Sequence, residues 1–579
     1  MKRRLTTVTK SFNLTTEPWI KVVEAKSNQT KTVSMIDLFE NAHLYSRLAG
    51  EMRSQDLSLM RLLLAVLHTV YSRVNAIDQQ YSWVNIDSKS LILNDSTEQV
   101  TPDIDDLLDT WQGIYDHGSF TKSVSQYLKA NASYFDFFGS RPFYQVTETE
   151  YDSFVPKKKR VATGTGTVAI KQINRQISES ANTPDIFAPK SGMAKNNVDL
   201  PELVRWLIMY QSFTGVTDKT KIETDEKFST SAGWVYRLNP VFAKGSSLFE
   251  TLMLNLNLAD DRNLAPQKPV WEYETISQYI EERKKQLPPT NLAFLYTLWA
   301  RLIHIEWGEN NDPIIFSAGL PTFDSENVFL EPMTVWRKDS KASKGGADVF
   351  KPAVKGIRSL GIAMWRNFGQ YINVDKADDN NQPGIVSWLQ LLKNDNLIDR
   401  QKQLHLESVA LISDGNATSQ SPVMESCDDM KINADILFDS DEVDYWPERI
   451  EEEVDVTQKV GKNFWSFAAN IATIRNLDSR DFAGKVSYMF YDQLNEPFKL
   501  WLASLSKQDD PDEKIDEWRN ILKRIVINST QQLLMSSSPR DVSGIIVDGK
   551  NDTRELLNIF TAKNQLMTKV YKDLHLQKG

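Results

Sequence analysis

The strongest constraint on this chain lies between Phe464 and Leu574, where apolar residues recur at helical spacing four times over. Phe464, Phe467, Ala468, Ile471 and Ile474 form the first stripe, and Phe482, Val486, Met489, Phe490, Leu494, Phe498, Trp501 and Leu505 the second. Ile515, Trp518, Leu522, Ile525 and Val526 form the third; Leu556, Ile559, Phe560, Met567, Val570 and Leu574 the fourth. Residues three and four apart share one face of a helix, so each stripe predicts an amphipathic helix with one buried side. Pro497 predicts a kink in the second. Asp552 and Glu555, in Asp-Thr-Arg-Glu, predict a capping box opening the fourth. Four such helices with short joints predict an antiparallel four-helix bundle. The spacing accounts for the aromatic residues as core, so they need no cofactor to explain them.

The acidic stretch from Asp435 to Asp455 precedes the bundle and predicts a domain boundary near 438/439. The expected organisation is thus a large mixed α/β domain, 1–438, followed by a bundle, 439–579. The fold class is α+β, mainly α. The 579 residues suffice for two to four domains, and 15 Trp and 26 Phe argue for packed cores rather than disorder. The longest apolar run, Leu57 to Val70, is broken by Arg61 and His68 and is too short to cross a bilayer. The start, MKRRLTTVTK, has charge but no apolar core behind it, so a cytoplasmic location is expected.

Charge is distributed unevenly. The formal net charge is −10, yet Val155 to Val198 carries eight Lys/Arg against two acids, and Arg337 to Arg358 seven against two. Glu425 to Val460 reverses this, with thirteen acids and three bases. Two basic segments in an acidic chain point to local phosphate contacts rather than a wholly electropositive surface. Both segments read as loops. From Phe154 to Asp199 the chain is polar and without periodicity, and Trp336 to Ala353 is the second basic loop. Between them Leu200 to Phe213 reads as a helix followed by a loop, Thr214 to Ser231. Asp56 to Tyr71 and Asn291 to Ile305 read as further helices, and Ser11 to Val23 as a strand.

Chemistry-bearing motifs are missing. A single cysteine, Cys427, excludes thiolate zinc sites and intrachain disulfides, and the six histidines are scattered. No Walker loop, nucleophile elbow, kinase set or dinucleotide fingerprint occurs. Thr163-Gly164-Thr165-Gly166-Thr167 is the nearest approach to a phosphate cradle, and it lacks the lysine such a loop needs. The residues favour a binding protein. The rival classes are a metal-dependent nuclease or phosphodiesterase built on scattered acids, and a helical scaffold.

Phe12-Asn13-Leu14-Thr15-Thr16-Glu17-Pro18-Trp19-Ile20-Lys21-Val22 resembles the opening signature of the CasA-type large subunits of type I-E CRISPR Cascade. The helix from Asp56, Arg141-Pro142-Phe143-Tyr144-Gln145, Leu252 to Leu258 and the terminal bundle follow in the family's order. The resemblance implies a non-enzymatic subunit, without catalytic residues, cofactor or metal, that inspects double-stranded DNA for a short motif beside the target. It implies guide RNA and other Cascade subunits as partners, and a helicase–nuclease recruited after binding. The motif-reading loop would contain Gly215, Thr217 and Lys219. A lysine finger is expected near Phe329-Leu330-Glu331-Pro332-Met333, where Met333 stands and Lys338 is the nearest lysine. A strand-opening wedge would be Ser419, Gln420 and Ser421. A guide- or subunit-tethering loop would use Phe187 and Lys190, with Lys157, Lys158, Lys159, Arg160, Lys171 and Arg175 toward phosphate.

Overall fold

The structure, a computed structural model, describes residues 11–575 apart from 95–100, 169–172, 174–197, 216–219, 260–266, 309–311, 357–361, 372–379, 382, 414–421, 442–444 and 549–553. Two compact units emerge, and neither is a continuous stretch. The first takes residues up to Arg358, with Asp379–Leu389 and Glu407–Cys427; the second takes Ser359–Asp378, Gln390–Leu406 and Asp428 onward. Where composition pointed to one cut at 438/439, the units interleave, because later strands return to the first unit.

The opening signature is a structural lock. The Asn13 side chain accepts from the Thr15 amide (3.0 Å) and hydroxyl (2.7 Å) and donates to the Ala132 carbonyl (2.8 Å). Such an Asx turn fixes the chain direction just before a strand. Trp19 is fully buried, and its indole N–H reaches the Leu14 carbonyl at 2.8 Å. The strand itself is shorter than the pattern predicted: β1 (Ile20–Glu24) pairs with β2 (Thr30–Val33) and β3 (Tyr45–Leu48).

The first long helix, α1 (Arg53–Tyr71), is buried on every side from Leu57 to Tyr71. Its apolar run is therefore central core, not a one-sided stripe. Arg61 is buried with it, ion-paired to Glu331 and lying 4.3 Å over the Tyr296 ring. His68 is buried too, and burial pushes its pKa down to about 3, so it is neutral core.

The stretch read as one helix from Asn291 to Ile305 is instead a short helix, Leu292–Thr297, and then a strand. The side chain of Asn291 caps the helix by accepting from the Phe294 amide. A platform sheet follows in the order β4 (Thr167–Val168), β7 (Pro313–Gly319), β6 (Arg301–Trp307). β5 (Val241–Lys244) joins a hairpin of β11 (Gln403–Ser413) and β12 (Pro422–Asn433), and β8 (Trp336–Lys338) lies between β9 (Phe350–Pro352) and β10 (Asn380–Asn381).

The second unit carries the bundle. After α2 (Leu200–Phe213) of the first unit, the long helices are α3 (Trp446–Arg475), α4 (Ser479–Ser504), α5 (Pro511–Met535) and α6 (Ile559–Asp573). α3 packs on α4 and α6, and α5 on α4 and α6, which closes the four helices on one core. Phe464 stacks on Phe490 (4.2 Å between ring centres), and Trp518 meets Phe498 edge-on at 4.8 Å while donating to the Thr457 hydroxyl at 2.9 Å. Aspartates cap the joints: Asp478 accepts from Asp481, and Asp510 from Asp512 and Glu513 ahead of Pro511. Two expectations fail here. Arg554–Leu557 is a strand, β14, paired with β13 (Ile545–Asp548), so α6 begins at Ile559 behind a capping box of Asn558 and Thr561. Met489 and Phe560, counted in the stripes, are 60% and 51% exposed.

Candidate nucleic-acid interface

Two segments distant in sequence meet around β7, and a third lies beside Trp234 just past the second, all within the first unit. The first is Lys157 to Gly166. Two single helical turns, Lys157–Lys159 and Val161–Thr163, end at Gly164, whose φ of +64° suits a residue without a side chain. Threonines knit the turn: the Thr163 hydroxyl donates to the Arg160 carbonyl (2.7 Å), and Lys159 Nζ donates to the Thr165 carbonyl (3.1 Å). Asp152 accepts from the Val161 amide at 2.8 Å. The run that resembled a phosphate cradle is thus a self-bonded turn, and Lys157, Lys158 and Arg160 stand exposed on it. β4 then docks the segment on β7, pairing Thr167 with Phe316 and Val168 with Ile315.

The second segment is the loop after α2. Asp199 caps that helix by accepting from the Glu202 amide, and Thr214 leaves it in extended conformation. The loop's stems are fixed on the end of β7, where the Gly319 amide donates to the Thr220 carbonyl (2.9 Å) and Ser231 donates to Leu320 (2.8 Å). The Glu223 amide donates to the Phe154 carbonyl at 2.7 Å, tying this loop to the root of the first. Gly233 passes so close to the helix end that an added Cβ would lie 2.2 Å from the Ser212 carbonyl oxygen. Gly215, the one motif-loop candidate inside the described residues, gives its carbonyl to buried Arg301.

The third segment is the basic hairpin of β8 and β9, read from sequence as an open loop. Phe329 packs edge-on against Trp336 and Phe350, and Trp234, just beyond the second loop, stands 6.5 Å from Trp336. Lys338 pairs with Asp348 at 3.0 Å, so its charge is partly committed within the hairpin. Lys351 bridges Glu326 (2.8 Å) and Asp339 (3.0 Å). The Lys351 hydrogen bond, followed by the Ala342 and Lys341 amides, holds Asp339 down at about 2. Arg337, Lys341 and Lys344 are exposed.

Met333 needs correcting as a finger residue. It is fully buried and its carbonyl accepts from the Val241 amide at 2.8 Å. Two residues earlier, buried Glu331 accepts from the Thr334 hydroxyl (2.6 Å) and the Trp234 indole and pairs with Arg61. The segment from Leu330 to Trp336 is core, and a side chain there cannot enter a groove. Thr217, Lys219, Lys171, Arg175, Phe187, Lys190, Ser419, Gln420 and Ser421 lie outside the described residues. Sequence reasoning missed Trp234, Glu331 and Arg301. Only Arg301 left a trace, as one cation inside the apolar run from Leu298 to Ile305.

Among the described residues no group of three His, Cys, Asp or Glu could hold a metal ion, and no helix is long and apolar enough to cross a membrane. The fold is that of solved Cse1 structures: Thermobifida fusca Cse1 superposes with a TM-score of 0.74 over 97% of this chain and 98% of that one, at 20% identity. A component of a CRISPR RNA-guided surveillance complex matches with a TM-score of 0.61 over 97% and 99%, at 12% identity. CRISPR-associated protein CasA/Cse1 of Thermus thermophilus is 23% identical over 338 residues, spanning 57% of this chain and 56% of that relative. The family model for CRISPR-associated protein Cse1 matches residues 13–529, and the chain belongs to that family.

Proposed function

We propose that this chain is the large subunit of a type I-E Cascade ribonucleoprotein, where it reads a short motif beside the target in double-stranded DNA without catalysing a reaction. Family membership and the likeness to a surveillance-complex component support the assembly. The observation that carries the DNA-reading role is the convergence on β7 of the loop after α2 with a preformed turn bearing exposed Lys157, Lys158 and Arg160. Cations on a turn held by its own hydrogen bonds lose little freedom when they meet phosphate, and they position a duplex without reading its sequence. Sequence reading then falls to the neighbouring loop with Gly215, Thr217 and Lys219, and strand opening to Gln420 between Ser419 and Ser421. Opening a base-pair step costs about 1.4 kcal/mol, part of which an inserted side chain offsets. The C-terminal bundle is the surface offered to the recruited helicase–nuclease, and the cytoplasm is where the complex works.

The test is the salt dependence of duplex binding by the full chain, with and without guide RNA and companion subunits. Every cation that neutralises a phosphate adds about 0.9 to the slope of log K against log salt, so K157A/K158A/R160A lowers the slope by up to about 2.7. An unchanged slope removes the turn from the interface. Metal-dependent DNA cleavage by the purified chain would favour the nuclease class instead.

A further inference from the structure

One cross-strand pair carries several of the bonds that fasten the loop after α2. In the antiparallel pairing of β6 with β7, Arg301 stands opposite Gly319. The Arg301 side chain is fully buried, and its guanidinium donates to the carbonyls of Gly215 and of Ser231, the latter at 2.6 Å. Those two residues are the start and finish of the loop. A third bond runs to Ala300 at 2.9 Å. Across the strand pair, Gly319 donates to Thr220 (2.9 Å) and accepts from Ile222 (3.3 Å), and its missing Cβ is what lets Thr230 approach. The loop is therefore gripped four times by one cross-strand pair.

Gln211, in the last turn of α2, completes the arrangement. Its side-chain oxygen accepts from the Ala300 and Arg301 amides, both at 2.9 Å, and its amide donates to the Arg301 carbonyl, also at 2.9 Å. Gln211 thus ties the helix that launches the loop to the residue that closes it. We infer that Arg301 and Gln211 are positioning residues for motif reading: they touch no DNA, and they set where the loop's stems stand. This rests on the proposed role of that loop.

A planar fork with fixed donors can span two carbonyls at once, whereas an ammonium group on a flexible stem cannot hold both directions. Arg301→Lys keeps the charge and most of the volume and removes the span. The alternative is a merely structural arginine, whose loss would weaken folding and every kind of DNA binding together. Groove reading by a few hydrogen bonds tolerates little displacement, while phosphate contacts are forgiving.

The experiment uses the full chain assembled with its guide and companion subunits and a duplex library randomised at the positions beside a fixed target. Wild type enriches a subset of sequences. Arg301→Lys flattens that enrichment by about tenfold, the loss expected from one or two misplaced hydrogen bonds, while affinity for a target-free duplex and its salt slope stay within about twofold. Should Arg301→Lys not melt cooperatively, Gln211→Met, which leaves the guanidinium in place, is read instead and flattens enrichment in the same way. Undiminished enrichment in the variant that is read overturns the inference. A parallel loss of target-free binding marks both residues as structural and overturns it as well. A flat wild-type profile refutes the motif-reading role itself, and the inference falls with it.

Discussion

Gly233 offers a direct way to move the candidate loop without touching any residue proposed to meet DNA. A Cβ added there would lie 2.2 Å from the Ser212 carbonyl oxygen and 2.3 Å from its carbon, where ordinary contact begins at 3.4 Å. Both neighbours are backbone, so Gly233→Ala must separate the two strands of chain by about 1 Å. Two hydrogen bonds span that gap: the Gly233 amide to the Thr214 carbonyl (2.9 Å) and the Val235 amide to Ser212 (3.2 Å). At about 1 kcal/mol each, their loss costs roughly 2 kcal/mol locally, a roughly thirtyfold rise in opening of the loop's stem. Hydrogen exchange read on peptides covering 212–235 measures that rise, with α3 of the bundle as an internal reference that stays unchanged. Motif enrichment falls alongside. Unaltered exchange at 212–235 would refute the account of Gly233 as a forced close approach.

Two predictions concern the first unit's buried charges. Arg73 reaches Glu272 through two bonds of 2.9 and 2.7 Å, and Tyr127 donates to the same carboxylate at 2.5 Å, all fully buried. Glu272→Gln strands the guanidinium and costs about 3–5 kcal/mol, whereas Arg73→Met/Glu272→Met costs less than the single change; urea midpoints decide, and a Glu272→Gln loss under about 1 kcal/mol refutes the pairing argument. Burial alone would raise the Glu51 carboxyl, but hydrogen bonds and charge from Arg205 and then Lys21 hold it at about 2, against an ordinary 4.5. A depressed acid stabilises the fold above its unfolded pKa, so up to about 3 kcal/mol is lost as pH falls from about 4.5 to 2, and Glu51→Gln flattens the pH–stability curve in that window.

Much of the second unit was legible in the sequence because it is built from local periodicity. The stripes at Phe464–Ile474 and Ile515–Val526 became the buried faces of α3 and α5, since i, i+3 and i+4 share a face whatever surrounds them. Legibility ended where periodicity gave way to pairing. Arg554 to Leu557 carries apolar Leu556 and Leu557 beside a capping-box look-alike, yet it pairs with β13, and Asn558 takes over as cap. Likewise Arg301 to Ile305, read from sequence as the end of a helix, is part of the strand β6, paired with β7.

Local residue patterns sufficed for the bundle helices, for an opening signature resembling that of the family, and for the two basic segments. Each is a property of residues near one another along the chain. The packing of distant segments set which basic residues are exposed and which loop they accompany. Lys157 to Arg160 looked like part of a tethering loop, and β4 carried them to the motif-loop candidate by pairing with β7. Met333 looked like a finger and is core, because Arg61, far upstream in α1, pairs with its neighbour Glu331. Arg301 carried no reading in the sequence, and in the fold its guanidinium holds both ends of the loop. Long-range hydrogen bonds and buried ion pairs join residues whose separation along the chain carries no signal, so only the folded chain displays them.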